Sequence, residues 1–408
     1  MKNARVRGGA IVAAAGLTMA AAGCSGGAAN TAKQDTDGPI RVAVVTPQSG
    51  PYAAYGEEQR KGIQFAADEA NADGGIDGHK IELEFADDLG TPEGALAAAQ
   101  KLVQDKQAPY VIGMVSSPEM AAVTPKLEAW DALMIGTQGQ SDDLTGKACT
   151  PRYFRTTAND TVGINTIAYW LGQEDEPQWD SIAADYSFGQ ASTTGVENAL
   201  EDEGSDLGAK LFSPLGTTDF GSYLSQLSGK GGLVVSLAGA DAVNFYKQAL
   251  QFGVLQKYDT VLANTGLSST TLAALDDDRL VGALGTNNWL PTADTPETAA
   301  FVKAYTEKNG EGPTENIGNG YMGMQTIFAG IEKAGSIAPG DVADALEGLT
   351  YDSIQGEVTM RAEDHQIEAP TYVGTVERDA QGQLILKATA AIPASENNPT
   401  ANPDCNLK

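Results

Sequence analysis

The chain has 408 residues, 54 of them acidic against 26 basic, for a net charge of −28, with 42% apolar and 20% charged residues. That apolar content supports a packed core and excludes wholesale disorder, and the length suggests two domains. The acid excess excludes a nucleic-acid partner, which needs a basic surface for its phosphates, and two His with three Cys leave little material for a zinc site.

The first 23 residues carry Lys2, Arg5 and Arg7 and then an apolar run from Ala10 to Ala22, with no acid. A basic start, a short apolar stretch and small residues at its end describe a secretory signal, and the run is too short to span a bilayer. It closes on Ala21-Ala22-Gly23-Cys24, followed by Ser25-Gly26-Gly27. This resembles a bacterial lipobox, with Ala21 where Leu is usual, and implies lipidation of Cys24. Residues 24–38 are small and polar, suited to a flexible tether. The expected location is extracytoplasmic, lipid-anchored to the outer face of the cell membrane. Cys149 and Cys405 remain as an even pair in an oxidising compartment, so a disulfide between them is expected.

Beyond residue 39 strands and helices alternate. The β-branched run Arg41–Pro47 leads into a helix with Ile63, Ala66, Ala67 and Ala70 at helical spacing, ended by Gly74-Gly75. Ile81, Leu83 and Phe85 alternate with Glu82 and Glu84 as a half-buried strand. An Ala-rich helix (93–106), a strand at Tyr110–Val115, a helix opened by Ser117-Pro118 and a strand at Leu133–Gln138 follow. The order then restarts: helix 160–171, strand Ser181–Tyr186, helix 188–203, strand 209–215, helix 219–228, strand Leu233–Ala238, helix 240–252 and strand Thr260–Gly266. A late helix carries Tyr321, Met324, Ile327, Phe328 and Ile331 on one stripe, and strand-like segments lie near 356–360, 371–377 and 383–391. Two successive series of this kind give an α/β fold with parallel sheets and right-handed crossovers, in two similar lobes.

Ligands of open parallel sheets bind beyond the carboxyl ends of the strands, so the turns there carry the chemistry. The first, Thr46-Pro47-Gln48-Ser49-Gly50-Pro51-Tyr52-Ala53-Ala54-Tyr55-Gly56, offers hydroxyls and two aromatics. The third strand ends in Ser116-Ser117-Pro118-Glu119, a helix start with unpaired N–H groups that suits a carboxylate. The fourth ends in Thr137-Gln138-Gly139-Gln140-Ser141, dense in hydrogen-bonding groups. Any one of these could be ordinary capping; their falling at equivalent strand ends points to a site.

The stretch Asn71-Ala72-Asp73-Gly74-Gly75-Ile76-Asp77-Gly78, running into Ile81-Glu82-Leu83 and Asp87-Asp88, resembles the type I periplasmic binding proteins, nearest to the leucine/isoleucine/valine- and amide-binding group of ABC importers. The opening RVAVVTPQSGPYAAYG, the Ser-Ser turn and Arg155-Thr156-Thr157 fit as well, and the likeness covers roughly residues 39–395. It implies two Rossmann-like lobes joined by three hinge crossings, closing on a ligand held between them. The boundaries expected are residues 39–155 with 289–352 for lobe 1, 156–288 with 353–395 for lobe 2, and 396–408 as a tail. It also implies that Ser116, Ser117, Gln138 and Gln140 hold a ligand carboxylate, that Tyr186 supplies an aromatic, and that Gly239 and Ala240 contribute through the backbone. Tyr52, Tyr55, Phe188 and Trp289 are further aromatics that could stack on the ligand. The family's amino-acid binders anchor the α-ammonium on an acid, and here Thr265 stands where Glu is expected. An uncompensated buried ammonium is costly. Either Asp185 or Asp241 substitutes, or the ligand is instead a small carboxylate, amide or aromatic acid, the reading preferred here.

The expected function is therefore capture of a small polar solute for an ABC permease, as a monomer with no metal or cofactor. A sensor module signalling to a membrane kinase would have the same cleft. An extracellular enzyme is the remaining class, but no G-x-S-x-G elbow, P-loop, HExxH or G-x-G-x-x-G is present.

Overall fold

The run IRVAVVT forms β1 (Ile40–Thr46), buried on both faces as a strand must be when helices cover its sheet. In the computed structural model, which describes residues 38–173 and 176–407, it is followed by α1 (Ala53–Ala72), β2 (Ile81–Asp87), α2 (Pro92–Asp105), β3 (Tyr110–Gly113), α3 (Ser117–Val123), β4 (Leu133–Gly136) and β5 (Tyr153–Arg155). These strands make one all-parallel sheet in the order β2-β1-β3-β4-β5. The proposed signal, Cys24 and the tether up to residue 37 lie outside the described residues.

The second series begins with α4 (Asp160–Leu171), β6 (Gln178–Ala184), α5 (Ser187–Asp202), β7 (Asp206–Ser213) and α6 (Gly221–Leu224). It continues through β8 (Gly232–Ser236), α7 (Gly239–Gln251), β9 (Thr260–Asn264), α8 (Ser269–Leu275) and β10 (Leu284–Asn287). The chain then builds α9 (Pro296–Asn309), α10 (Glu315–Ala334) and α11 (Pro339–Leu346), the small antiparallel sheet β11 (Thr350–Ser353), β12 (Gly356–Met360) and β13 (Ile367–Glu368), and finally β14 (Thr371–Arg378), β15 (Leu384–Ile392) and α12 (Ala394–Asn397). The second large sheet runs β15-β14-β10-β9-β8-β6-β7. One of its strands, β14, is antiparallel to the rest, where parallel sheets were expected, because β14 and β15 form a hairpin added to the β10 edge.

Each sheet has its own core. Val42, Val44, Ile112 and Ile135 pack with Met324, Ile327 and Ile331, the apolar stripe of α10. Ile182, Val235, Phe245 and Tyr246 lead the core of the second sheet. Helices α1 and α10 meet along a glycine seam: a Cβ on Gly62 would fall 1.9 Å from the Ile317 carbonyl oxygen and one on Gly320 2.4 Å from that of Gln59. In the segment 353–369, which the expected boundaries place in lobe 2, Val358, Met360, Ile367 and Ala369 are buried in the core of α10 and β1. Helix 219–228 is reduced to the single turn of α6.

Two of the crossings are tied together. The buried Arg155 donates from Nε to Gln366 Oε1 (2.7 Å) and from Nη1 to the Ser141 carbonyl (2.7 Å), and its backbone N–H donates to the His365 carbonyl (3.0 Å). His365 is buried and stacks on Phe154 with ring centroids 3.9 Å apart. Cys149 and Cys405 are disulfide-bonded across a sequence separation of 256 residues, holding the C-terminal tail against the first lobe. No described helix is long and apolar enough to cross a membrane.

Candidate ligand-binding site

In each large sheet the strand order reverses direction at one place: between β1 and β3 in the first, and between β6 and β8 in the second. Loops leaving the carboxyl ends of strands at such a switch point diverge and leave a crevice. Here the two crevices face one another. They enclose a cavity of about 50 Å³ whose wall draws on both lobes.

From the first lobe come Tyr52 and Tyr55 after β1, Ser117 after β3, and Gln138 and Gln140 after β4. From the second come Tyr186 and Phe188 after β6, Ala238 after β8, and Thr265 and Ser268 after β9. Two of the sequence-derived residues stand back from the wall. Ser116 caps α3 and its N–H donates to Glu119 Oε2 (3.0 Å), so it supports the turn that presents Ser117. Gly239 instead packs against the first lobe: a Cβ there would lie 2.4 Å from the Pro51 carbonyl oxygen and 2.9 Å from Tyr52 Cδ1. Trp289 is a core residue, fully buried with its Nε1–H on Thr298 Oγ1 (3.1 Å). Of the two acids considered as substitutes at the second lobe, Asp241 is engaged by the Gly216 N–H at 2.9 Å, and neither Asp241 nor Asp185 lines the cavity.

Asn287 and Asn288, at the end of β10, and Glu315, Asn316 and Asn319, on the first turns of α10, also line the cavity and were not anticipated. The late helix shows in the sequence through its apolar stripe from Tyr321 onward, whereas the cavity-lining residues sit at its polar start. The signal available was Thr314-Glu315-Asn316, an N-cap followed by an acid, ahead of that stripe: Thr314 accepts from the Ile317 N–H.

The lobes touch around the cavity through direct bonds. Tyr52 and Tyr186 share a hydroxyl–hydroxyl bond of 2.8 Å, and Tyr55 Oη lies 3.3 Å from Ser268 Oγ. Thr270 Oγ1 donates to Glu58 Oε1 (2.6 Å), and Ala240 N–H donates to the Pro51 carbonyl (2.9 Å). A relay links these contacts to the wall: Gln138 Nε2 donates to Asn316 Oδ1 (2.6 Å), and Asn316 Nδ2 donates to Glu58 Oε2 (2.7 Å). Burial, followed by the repulsion of neighbouring acids and hydroxyls, pushes the Tyr52 and Tyr186 hydroxyls well above their usual range, so both remain neutral donors. Gln140 Oε1 is buried with no hydrogen-bond partner, an acceptor available to a donor in the cavity. Thr265 holds φ = +61°, a left-handed conformation that a β-branched residue adopts only under local constraint. The wall thus combines aromatic rings with amide and hydroxyl groups. Among the described residues no group of three or more His, Cys, Asp or Glu is placed to hold a metal ion.

A family model described as periplasmic binding protein matches residues 39–383. The chain is 27% identical over 324 residues to a leucine-, isoleucine-, valine-, threonine- and alanine-binding protein of Pseudomonas aeruginosa, covering 78% of this chain and 85% of that one. It is 30% identical over 324 residues to a Leu/Ile/Val-binding protein of Rhizobium johnstonii, covering 78% and 87% respectively. Among solved structures, a solute-binding protein of an ABC transporter from Rhodopseudomonas palustris HaA2, in complex with p-hydroxybenzoic acid, superposes with a TM-score of 0.80 at 25% identity, over 90% of this chain and 98% of that one.

Proposed function

The chain belongs to the periplasmic binding proteins, in the branched-chain amino acid group of ABC-transporter solute-binding proteins, a family that binds solutes and is not enzymatic; from that footing we propose that it captures one small polar solute between its lobes and hands it to a permease. The solute class is an amino acid, an amide or a small or aromatic carboxylate. The reading is carried by one observation: the two switch-point crevices face each other and supply aromatic, amide and hydroxyl groups to a single cavity. Lobe 1 is assigned residues 39–155 and 289–369, and lobe 2 residues 156–288 and 370–395, with rotation about the crossings between them. A carboxylate is assigned to the side of Ser117, Gln138 and Gln140, and an apolar group to that of Tyr52, Tyr55 and Tyr186. Cleavage before Cys24 and lipidation of its thiol anchor the mature chain outside the cell membrane, on the strength of the basic start, the apolar run and the small residues preceding that cysteine.

A thermal-shift screen over amino acids, amides, urea, polyamines and aromatic acids tests the proposal. A true ligand at 100 times its Kd stabilises the fold by about 2.7 kcal/mol. Ser117→Trp, which fills the cavity, is expected to abolish that shift while leaving the unliganded melt within a few degrees. Undiminished binding by the variant counts against the site, and a screen in which nothing binds counts against solute capture.

A further inference from the structure

Glu315 is an acidic residue of the cavity wall, 2% exposed, at the first position of α10 in the first lobe. Its two oxygens accept from Ser269 of the second lobe, one from the backbone N–H (2.9 Å) and the other from Oγ (3.1 Å). Its own backbone N–H bonds it as well, so of the about four acceptor positions of a carboxylate roughly one remains. No Lys, Arg or His lines the cavity. The buried Arg155 beneath the Gln138–Ser141 turn spends its guanidinium on Gln366, Gly139, Ser141 and Thr145. The other acid nearby, Glu58, is held by Thr270 and Asn316 and only adds negative potential. Glu315 is therefore a desolvated carboxyl with no cation beside it in the wall, and holding it ionised there is costly unless a positive group joins it.

Ser269 lies four residues beyond Thr265 in the same β9–α8 turn. The acid missing at position 265 is thus replaced by one that reaches that turn from the opposite lobe. Resting on the solute-capture reading, we infer that Glu315 is the specificity-determining residue of the cavity and pairs with a protonated nitrogen of the solute. The carboxylate of such a zwitterion lies toward Ser117 and Gln138, and its ammonium completes the charge of Glu315. Because the bonds from Ser269 require both lobes, the anchor is assembled only as they come together. A solute that is an anion alone meets an uncompensated acid at that wall, so of the small carboxylate, amide or aromatic acid that Thr265 suggested, the two anions are disfavoured.

The test is calorimetry on pairs of probes that differ by one amino group: L-leucine with 4-methylpentanoate, and L-phenylalanine with 3-phenylpropanoate. The wild-type chain is expected to bind the amino member of at least one pair 100-fold or more tighter. Glu315→Gln is expected to reduce that preference to tenfold or less, with the desamino acid bound as well as before or better. Should that variant fail to fold, Ser269→Ala, which frees the carboxylate from the second lobe, is expected to cut the same preference by at least threefold. Equal affinities within every pair, or a preference that survives Glu315→Gln with only a lowered melting temperature, overturn the inference and leave solute capture standing. Absence of binding by both members of both pairs and by the whole screening panel overturns both.

Discussion

Gly239→Ala is a perturbation that separates closing from folding. Gly239 sits at φ = +58°, and a Cβ there would stand 2.4 Å from the Pro51 carbonyl oxygen and 2.9 Å from Tyr52 Cδ1. Two penalties follow, and they act on different states. A left-handed alanine costs about 1–2 kcal/mol wherever the second lobe is folded. The collision arises only when the first lobe is drawn against it, and relieving it by the better part of an ångström stretches the Ala240–Pro51 bond (2.9 Å) and the Tyr52–Tyr186 bond (2.8 Å). Overpacking of this kind costs about 1–3 kcal/mol and a weakened hydrogen bond about 1 more. A closing penalty near 2–3 kcal/mol corresponds to roughly 30- to 150-fold weaker binding. Gly204→Ala is the control, since Gly204 has φ = +77° with nothing within 4 Å of its Cβ position. Both variants are expected to lower the unliganded melting temperature by similar small amounts, and only Gly239→Ala to lose affinity by calorimetry. Equal affinities in the two variants would show that the lobes do not bind solute in the arrangement described.

The remaining predictions concern stability. Replacing Cys149 and Cys405 together by Ser opens a cross-link spanning 256 residues, for which the chain-entropy account gives about 5 kcal/mol as a ceiling and about 2–5 kcal/mol as the usual outcome. A clear drop in the urea midpoint with unchanged solute affinity is expected, and an unmoved midpoint refutes the stabilising role. Stability should also fall as pH rises. Asp88, Asp160, Asp241 and Glu315 are buried, and loss of solvent pushes their carboxyls up to about 7, 8, 6 and 7. Folding therefore retains protons that the unfolded chain, with carboxyls near 4, has already released. Stability is fullest below about pH 4 on this account, declines between about pH 4 and 8, and the whole cost of ionisation is present above that. The Asp277 carboxyl, held at about 2 by Arg279, titrates outside this window. A thermal melt higher at pH 5.5 than at pH 8 is expected; the reverse order would mean these acids are solvated in the native state.

The alternation of strands and helices was legible because each element carries its own period, and the turn residues Tyr52, Tyr55, Ser117, Gln138 and Tyr186 were legible because open parallel sheets place function at strand ends. What escaped depends on packing between distant segments. The strand pattern near 356–360 is the same whichever lobe receives it, and only burial of Val358 and Met360 against α10 assigns it. Glu315 and Asn316 belong to a helix whose apolar stripe drew attention to its buried middle, while its polar first turn reaches the cavity from outside the strand ends. Gly239 follows β8 as foreseen, but its value lies in having no side chain where Pro51 arrives. Trp289 was offered as a stacking group on residue type alone; a large aromatic with a satisfied N–H is more simply a core residue.

The bond from Arg155 to Gln366, with the backbone contact from Arg155 to His365, laces two of the three connecting strands side by side. Strands fastened in this way twist together, so the proposed closing would swing the halves about one line with little sliding. On the proposed capture of a solute, the path of approach would thereby be set by the connecting strands beforehand, and a weak guest would need only to tip a motion of fixed direction.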